Sequence, residues 1–176
     1  MVAEDPKSGA KDWTDSVLER LAGVQPDLDV GAYQVTARIS RIGQHIARHQ
    51  ETVFGGFGLN RGDVGVLSAL RIAGPPHRLS PTQLFKGLMM SSAGITSRLD
   101  RLEKRGFVRR TRDPNDRRGV LVELTADGQS TLDEAVKSNT RAEHDLVAAL
   151  GSSELGALTG LLKKLLSGLE PPGGAD

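Results

Sequence analysis

Apolar residues recur every three or four positions through most of this chain, and the pattern gives way once, near the middle, to two short alternating runs. Trp13, Val17 and Leu21 share one helical face, with Asp12 and Asp15 at its start and Gly23 and Pro26 past its end. From Val30 onward, Ala32, Val35, Ile39, Ile42, Ile46 and Val53 predict a long amphipathic helix that Gly55 and Gly56 end. Asn60 caps a third helix, with Asp63 as its capping-box acid, and Val64, Leu67, Leu70 and Ile72 form its apolar faces up to Gly74-Pro75-Pro76. Ser80-Pro81-Thr82-Gln83 starts a fourth, which runs to about Lys86. Ser91 or Ser92 caps a fifth, whose stripe is Ile95, Leu99 and Leu102. Lys104 and Arg105 suit its C-terminal dipole, and Gly106 supplies the left-handed residue that ends it.

The alternating runs, 107–111 and 120–124, flank Arg112-Asp113-Pro114-Asn115-Asp116-Arg117-Arg118-Gly119, a segment dense in turn formers, and so predict a hairpin with a charged tip. Thr125 then caps a helix carrying Leu132, Val136, Ala142, Leu146 and Leu150. Ser152 or Ser153 starts a last one, where Leu155, Leu158, Leu162, Leu165 and Leu169 form a stripe widened by Leu161 and Leu166.

A short helix, a turn around Gly87, a longer basic helix and a hairpin make a winged helix-turn-helix. The expected fold is mainly α with a small β-hairpin wing, dimerised through the N- and C-terminal helices, because the terminal leucine content exceeds what one small core absorbs. The expected division is a disordered tail over 1–10, N-terminal helices for dimerisation and ligand binding over 11–58, and the DNA-binding region over 59–125. C-terminal dimerisation helices over 126–169 and a disordered tail over 170–176 complete it.

Charge sharpens this picture. The net charge is +1, yet between Arg98 and Arg118 nine cations (Arg98, Arg101, Lys104, Arg105, Arg109, Arg110, Arg112, Arg117, Arg118) face four anions (Asp100, Glu103, Asp113, Asp116). Positive charge concentrated on one helix and hairpin is the footprint of a nucleic-acid binder. The helix fits a major groove, and Arg117 and Arg118 at the hairpin tip suit an adjacent minor groove. Within the helix, Ser92, Gly94, Thr96, Ser97 and Arg98 occupy the first exposed turns, where small polar residues approach base edges closely.

The 176 residues suffice for one domain with a real core. There are no cysteines, hence no disulfide, thiolate metal site or sensing thiol. No segment reads as a signal peptide or approaches the roughly eighteen apolar residues of a membrane span, so the expected location is the cytoplasm. His45 and His49 stand one helical turn apart, but no partner carboxylate motif accompanies them, and no nucleophile motif or phosphate loop occurs. The expectation is no enzyme, no metal and no cofactor.

Several segments together resemble the MarR family of bacterial transcriptional regulators. They are the Ser80-Pro81 helix, the serine-rich start of the basic helix, Arg98-Leu99-x-x-Leu102-x-x-x-Gly106-Phe107-Val108-x-Arg110, and above all Asp116-x-Arg118-Gly119-x-x-x-x-Leu124-Thr125. The resemblance covers nearly the whole chain. It implies a homodimer on a palindromic double-stranded operator, usually a repressor released by a small molecule, with Asp116 orienting Arg118 for the minor groove. Trp13, Asp63, Arg98 and Arg110 stand where the urate-responsive, HucR-like and PecS-like subgroup carries its ligand residues, and a TamR-like branch is similar. Urate is a planar, amide-rich monoanion near neutral pH, which suits arginines for its charge and Asp63 for its N–H groups. Citrate or aconitate would be served by the arginines but repelled by Asp63. A ligand-independent architectural DNA binder would share the basic segment and lack any effector response.

Overall fold

The computed structural model describes residues 11–88, 92–114, 116 and 119–170. The expected tail over 1–10, all of the expected tail over 170–176 except Glu170, the cap at Ser91, and Arg117 and Arg118 lie outside the described residues, as does the side chain of Ser92. The chain forms two compact units, residues 1–48 and 49–176.

The first unit holds α1 (Trp13–Val24) and most of α2 (Tyr33–Gly55). A capping box starts α1: Asp12 Oδ1 accepts the Asp15 N–H at 2.9 Å, and Asp15 Oδ2 accepts the Asp12 N–H at 3.0 Å. Arg38 of α2 holds both carboxylates, at 2.9 Å from Asp12 and 2.6 Å from Asp15. The buried residues of α1 are Thr14 and Leu18. Trp13 itself stays 55% exposed, one position off the buried face that the apolar spacing suggested, and Arg41 covers its ring instead.

The second unit is built around α3 (Arg61–Ile72), where Val66, Leu67 and Leu70 are fully buried. Packed with it are α4 (Pro81–Gly87), α5 (Ser92–Lys104), and a three-stranded antiparallel sheet of β1 (Arg78–Leu79), β2 (Val108–Arg112) and β3 (Val120–Leu124) in the order β1-β3-β2. The predicted stripe of α5, Ile95, Leu99 and Leu102, enters this core with Leu84, Val108, Val122, Leu124 and Leu132. Capping boxes at Asn60/Asp63 and Ser80/Gln83 open α3 and α4 as the sequence predicts. Gly106 takes φ +74°, so α5 ends where a left-handed residue is affordable and the chain turns into β2.

Strand β1 was not legible in the sequence: two residues, Arg78 and Leu79, pair with Glu123 and Val122, too short a run to show alternation. Beyond the wing, Thr125 caps α6 (Ala126–Val147), accepting the Gly128 N–H at 3.0 Å and donating its hydroxyl to the Gly106 carbonyl at 2.7 Å. A Cβ at Gly128 would collide with the Phe107 carbonyl, so only glycine lets α6 start this close to the base of the wing. Helix α7 (Ser152–Leu169) starts at Ser152 as the sequence predicts, with Gly151 as its N-cap, and lies at 102° to α6. It buries none of its residues in this chain.

Candidate nucleic-acid interface

Helix α5 turns its apolar stripe inward and leaves Thr96, Ser97, Asp100, Arg101 and Lys104 around an open depression of about 690 Å³. The expected readers Thr96 and Ser97 are therefore at the surface, with Gly94 half-buried beside them. Arg98 is different. Its side chain is 19% exposed and turns inward to the start of α3, where Nη1 donates to Asn60 Oδ1 at 2.5 Å and to Asp63 Oδ1 at 3.1 Å.

Asp63 is 1% exposed, a buried carboxylate whose environment explains why it is tolerated. Oδ2 accepts the Asn60 N–H at 3.0 Å, and Oδ1 takes both Arg98 and Arg101. Two cations three residues apart on one helix thus grip one anion at the N-terminus of another, where the helix dipole also favours negative charge. Gly62 completes the arrangement, since any Cβ there would overlap the Arg98 guanidinium. The Arg98 Nε is buried with no hydrogen-bond partner. Arg101 and Gly62 were missed by sequence reasoning; the spacing of Arg98 and Arg101 was the available signal.

The wing is fixed to α5 by Arg110. Its Nη2 donates to Asp100 at 2.6 Å, Nη1 to Glu103 at 2.5 Å, and its own N–H to Glu103 at 3.0 Å. These contacts, hydrogen bonding to Asp100 foremost, raise the Arg110 pKa above its ordinary value. The structure thus brings Asp63 and Arg98 together and directs Arg110 to the opposite, acidic face of α5. Trp13 belongs to the first unit, under Arg41 at 4.3 Å.

On the sheet, Glu123 lies between Arg109 of β2 and Arg78 of β1, the latter at 2.6 Å. The Arg109 hydrogen bond, with Arg78 in support, holds the Glu123 carboxyl below its ordinary range. The two wing strands pair over five residues, from Val108 opposite Leu124 to Arg112 opposite Val120. At the tip, the Gly119 N–H donates to the Asp116 carbonyl at 2.9 Å and the Asp113 N–H to the Gly119 carbonyl at 3.0 Å. These two bonds close the hairpin between Asp113 and Gly119. No group of three or more His, Asp or Glu suited to a metal occurs among the described residues, and no single described helix is long and apolar enough to cross a membrane.

Comparison with known proteins converges on this unit. A profile described as MarR family matches residues 57–119. The HTH-type transcriptional regulator PecS of Dickeya dadantii (strain 3937) is 33% identical over 153 residues, 85% of this chain and 92% of the relative. A mutant MarR from E. coli complexed with operator DNA has a TM-score of 0.69 at 29% identity, covering 80% of this chain and 99% of that one. The structure of Bordetella bronchiseptica BpsR, whose DNA binding is regulated by 6-hydroxynicotinic acid, has a TM-score of 0.67 at 27% identity over 78% and 96% of the two chains.

Proposed function

The chain belongs to the MarR family of DNA-binding transcriptional regulators, which are not enzymes, and from that premise we propose that it is a homodimeric repressor on a palindromic operator, released by a small planar anion of the urate type. The observation that carries the reading is the sharing of Asp63 by Arg98 and Arg101. That one carboxylate sets where the recognition helix α5 stands relative to α3. Arg110 then couples α5 to the wing, so that helix and hairpin move together.

A planar monoanion with amide N–H groups competes for Arg98 and offers donors to Asp63. Binding draws Arg98 away, α5 is left on Arg101 alone, and the two helices of a dimer lose their match to half-sites about one helical turn apart. Coupling requires only that the ligand favour the DNA-incompetent arrangement, and allosteric couplings of about 1–3 kcal/mol change affinity roughly 5- to 150-fold. Trp13 and Arg110 enter as ligand residues through the sequence resemblance alone. Thr96, Ser97, Gly94 and Ser92 read base edges, while Arg117 and Arg118, with Asp116 beside them, take the minor groove.

PecS and operator-bound MarR support the DNA half of this reading. The 6-hydroxynicotinic acid that regulates BpsR, a planar aromatic acid, supports the anionic half. The test is a gel shift at fixed salt on the upstream DNA of the chain's own gene, alone and with urate or citrate. Release by urate supports the reading. Release by citrate alone moves the effector to the polycarboxylate class, and failure to bind any palindromic DNA refutes the regulator reading.

A further inference from the structure

Arg78 of β1 and Arg109 of β2 are both register partners of Glu123 on β3, so these side chains stand abreast on one face of the sheet. Glu123 is 8% exposed and accepts from both: Arg78 Nε at 2.6 Å on Oε2, and Arg109 Nη2 on Oε1. Neither arginine has another ion-pair partner among the described residues, so two cations share one carboxylate. Thr111 and Leu121, the next pair toward the tip on that face, are uncharged. The Arg109 side chain is 61% exposed, against 35% for Arg78, and most of its N–H groups are unused. Strand alternation sets this row on the face opposite Arg110, whose bonds to Asp100 and Glu103 turn its own face toward α5.

We propose that Arg109 binds a phosphodiester of the DNA backbone, on the rim of the minor groove farther from α5. Arg78 and Glu123 are its positioning residues: Glu123 holds the Arg109 guanidinium in place, and Arg78 balances the Glu123 charge so that Arg109 keeps its own for the phosphate. The site rests on the reading above that the wing tip enters the minor groove. That groove has two phosphate rims. The wing face carrying Arg110 looks toward the rim between hairpin and helix, which leaves the other rim to the face carrying Arg109. Reach agrees with this. Arg109 stands four residues before Asp113, where the hairpin closes, a span of about 14 Å at roughly 3.4 Å per residue. A tip sunk through the groove's depth of about 7.5 Å leaves the Arg109 backbone roughly 6 Å above the rim, a gap that a long arginine side chain bridges.

The experiment measures affinity of the full-length protein for its own upstream DNA, and for an unrelated duplex of equal length, by fluorescence anisotropy at several salt concentrations. Each phosphate contact adds about 0.9 to the slope of log affinity against log salt, so Arg109→Gln, present in both subunits of the dimer proposed above, should lower it by about 1.8. The lost affinity should be similar on the two duplexes, because a phosphate carries no sequence. Arg109→Lys keeps the charge and should restore most of the slope. Glu123→Gln should bind both duplexes about threefold more tightly than wild type, since it removes a like charge beside the phosphate. A purely structural row predicts the opposite sign, because that variant loses a bond within the wing. Circular dichroism confirms that each variant is folded. An unchanged slope in Arg109→Gln overturns the proposal alone, as does Glu123→Gln binding no tighter than wild type. A wild type that binds neither duplex overturns the regulator reading together with it.

Discussion

The Arg98 guanidinium fills the space that a side chain would need at Gly62. That contact lets α5 lean on the first turn of α3, and it places Arg98 against Asn60 and Asp63. An alanine at position 62 should therefore act as a permanent partial effector. It displaces the far end of a flexible side chain, not the backbone, and alanine gains about 1 kcal/mol of helix propensity against the charged hydrogen bonds lost, about 1.5–3 kcal/mol. Gly62→Ala should fold with its melting temperature changed by only a few degrees and bind operator about tenfold more weakly without ligand, within the usual range of such couplings. Unchanged operator affinity, measured by fluorescence anisotropy, would separate Arg98 placement from DNA binding.

Asp63 should dominate stability at the same place. Removing its carboxylate leaves Arg98 and Arg101 facing a buried gap and the Asn60 N–H without its acceptor, so Asp63→Ala should cost about 3–5 kcal/mol in urea unfolding. Asp63→Asn keeps an oxygen for Asn60 and should cost about 1–3 kcal/mol. A loss under 0.5 kcal/mol for alanine would mean that water replaces the network without penalty.

Much of this was legible in the sequence, because the local signals agreed with the fold. The Asn60 and Ser80 capping boxes, the Ile95-Leu99-Leu102 stripe and the Gly106 stop each specify geometry within a few residues. Asp63 was read as the capping-box acid of α3, and it takes that role, with Arg98 beside it. What escaped depends on long-range pairing: strand β1, whose two residues acquire strand geometry only against β3, and the grip of Arg101 on Asp63 across 38 residues. The exposure of Trp13 escaped too, because spacing gives the face of α1 but not that Arg41 covers the ring.

Acid should loosen the wing through Glu123. Its folded pKa is depressed by Arg109 and Arg78 from an ordinary value of 4.5, so its stabilising contribution is complete above that value and is lost as pH falls through the lower folded one. Glu123→Gln should be less stable than wild type at pH 7, and the difference should shrink below about pH 4.5 as the native carboxyl protonates. Asp12, depressed by the Asp15 backbone N–H, gives its own acid limb in both proteins and drops out of the comparison. Denaturant titrations at pH 7 and pH 3 check this; a gap that widens in acid would contradict it.

Helix α7 leaves Leu155, Leu158, Leu161, Leu162, Leu165, Leu166 and Leu169 exposed, more apolar surface than one soluble helix ordinarily leaves uncovered. If a second copy covers it, Leu162→Glu should give a monomer in sedimentation equilibrium and abolish tight operator binding, since a single half-site offers one recognition helix. A dimer persisting unchanged would place the interface elsewhere.

The central claim is that a planar anion releases DNA by competing for Arg98 at Asp63. It is tested most directly by titrating urate into the preformed complex of protein with its own upstream DNA, at one fixed salt, for wild type and Asp63→Asn side by side. The account predicts wild-type release at a saturable urate concentration and a midpoint at least tenfold higher for Asp63→Asn, with both proteins binding DNA beforehand. Equal midpoints for the two proteins would contradict it.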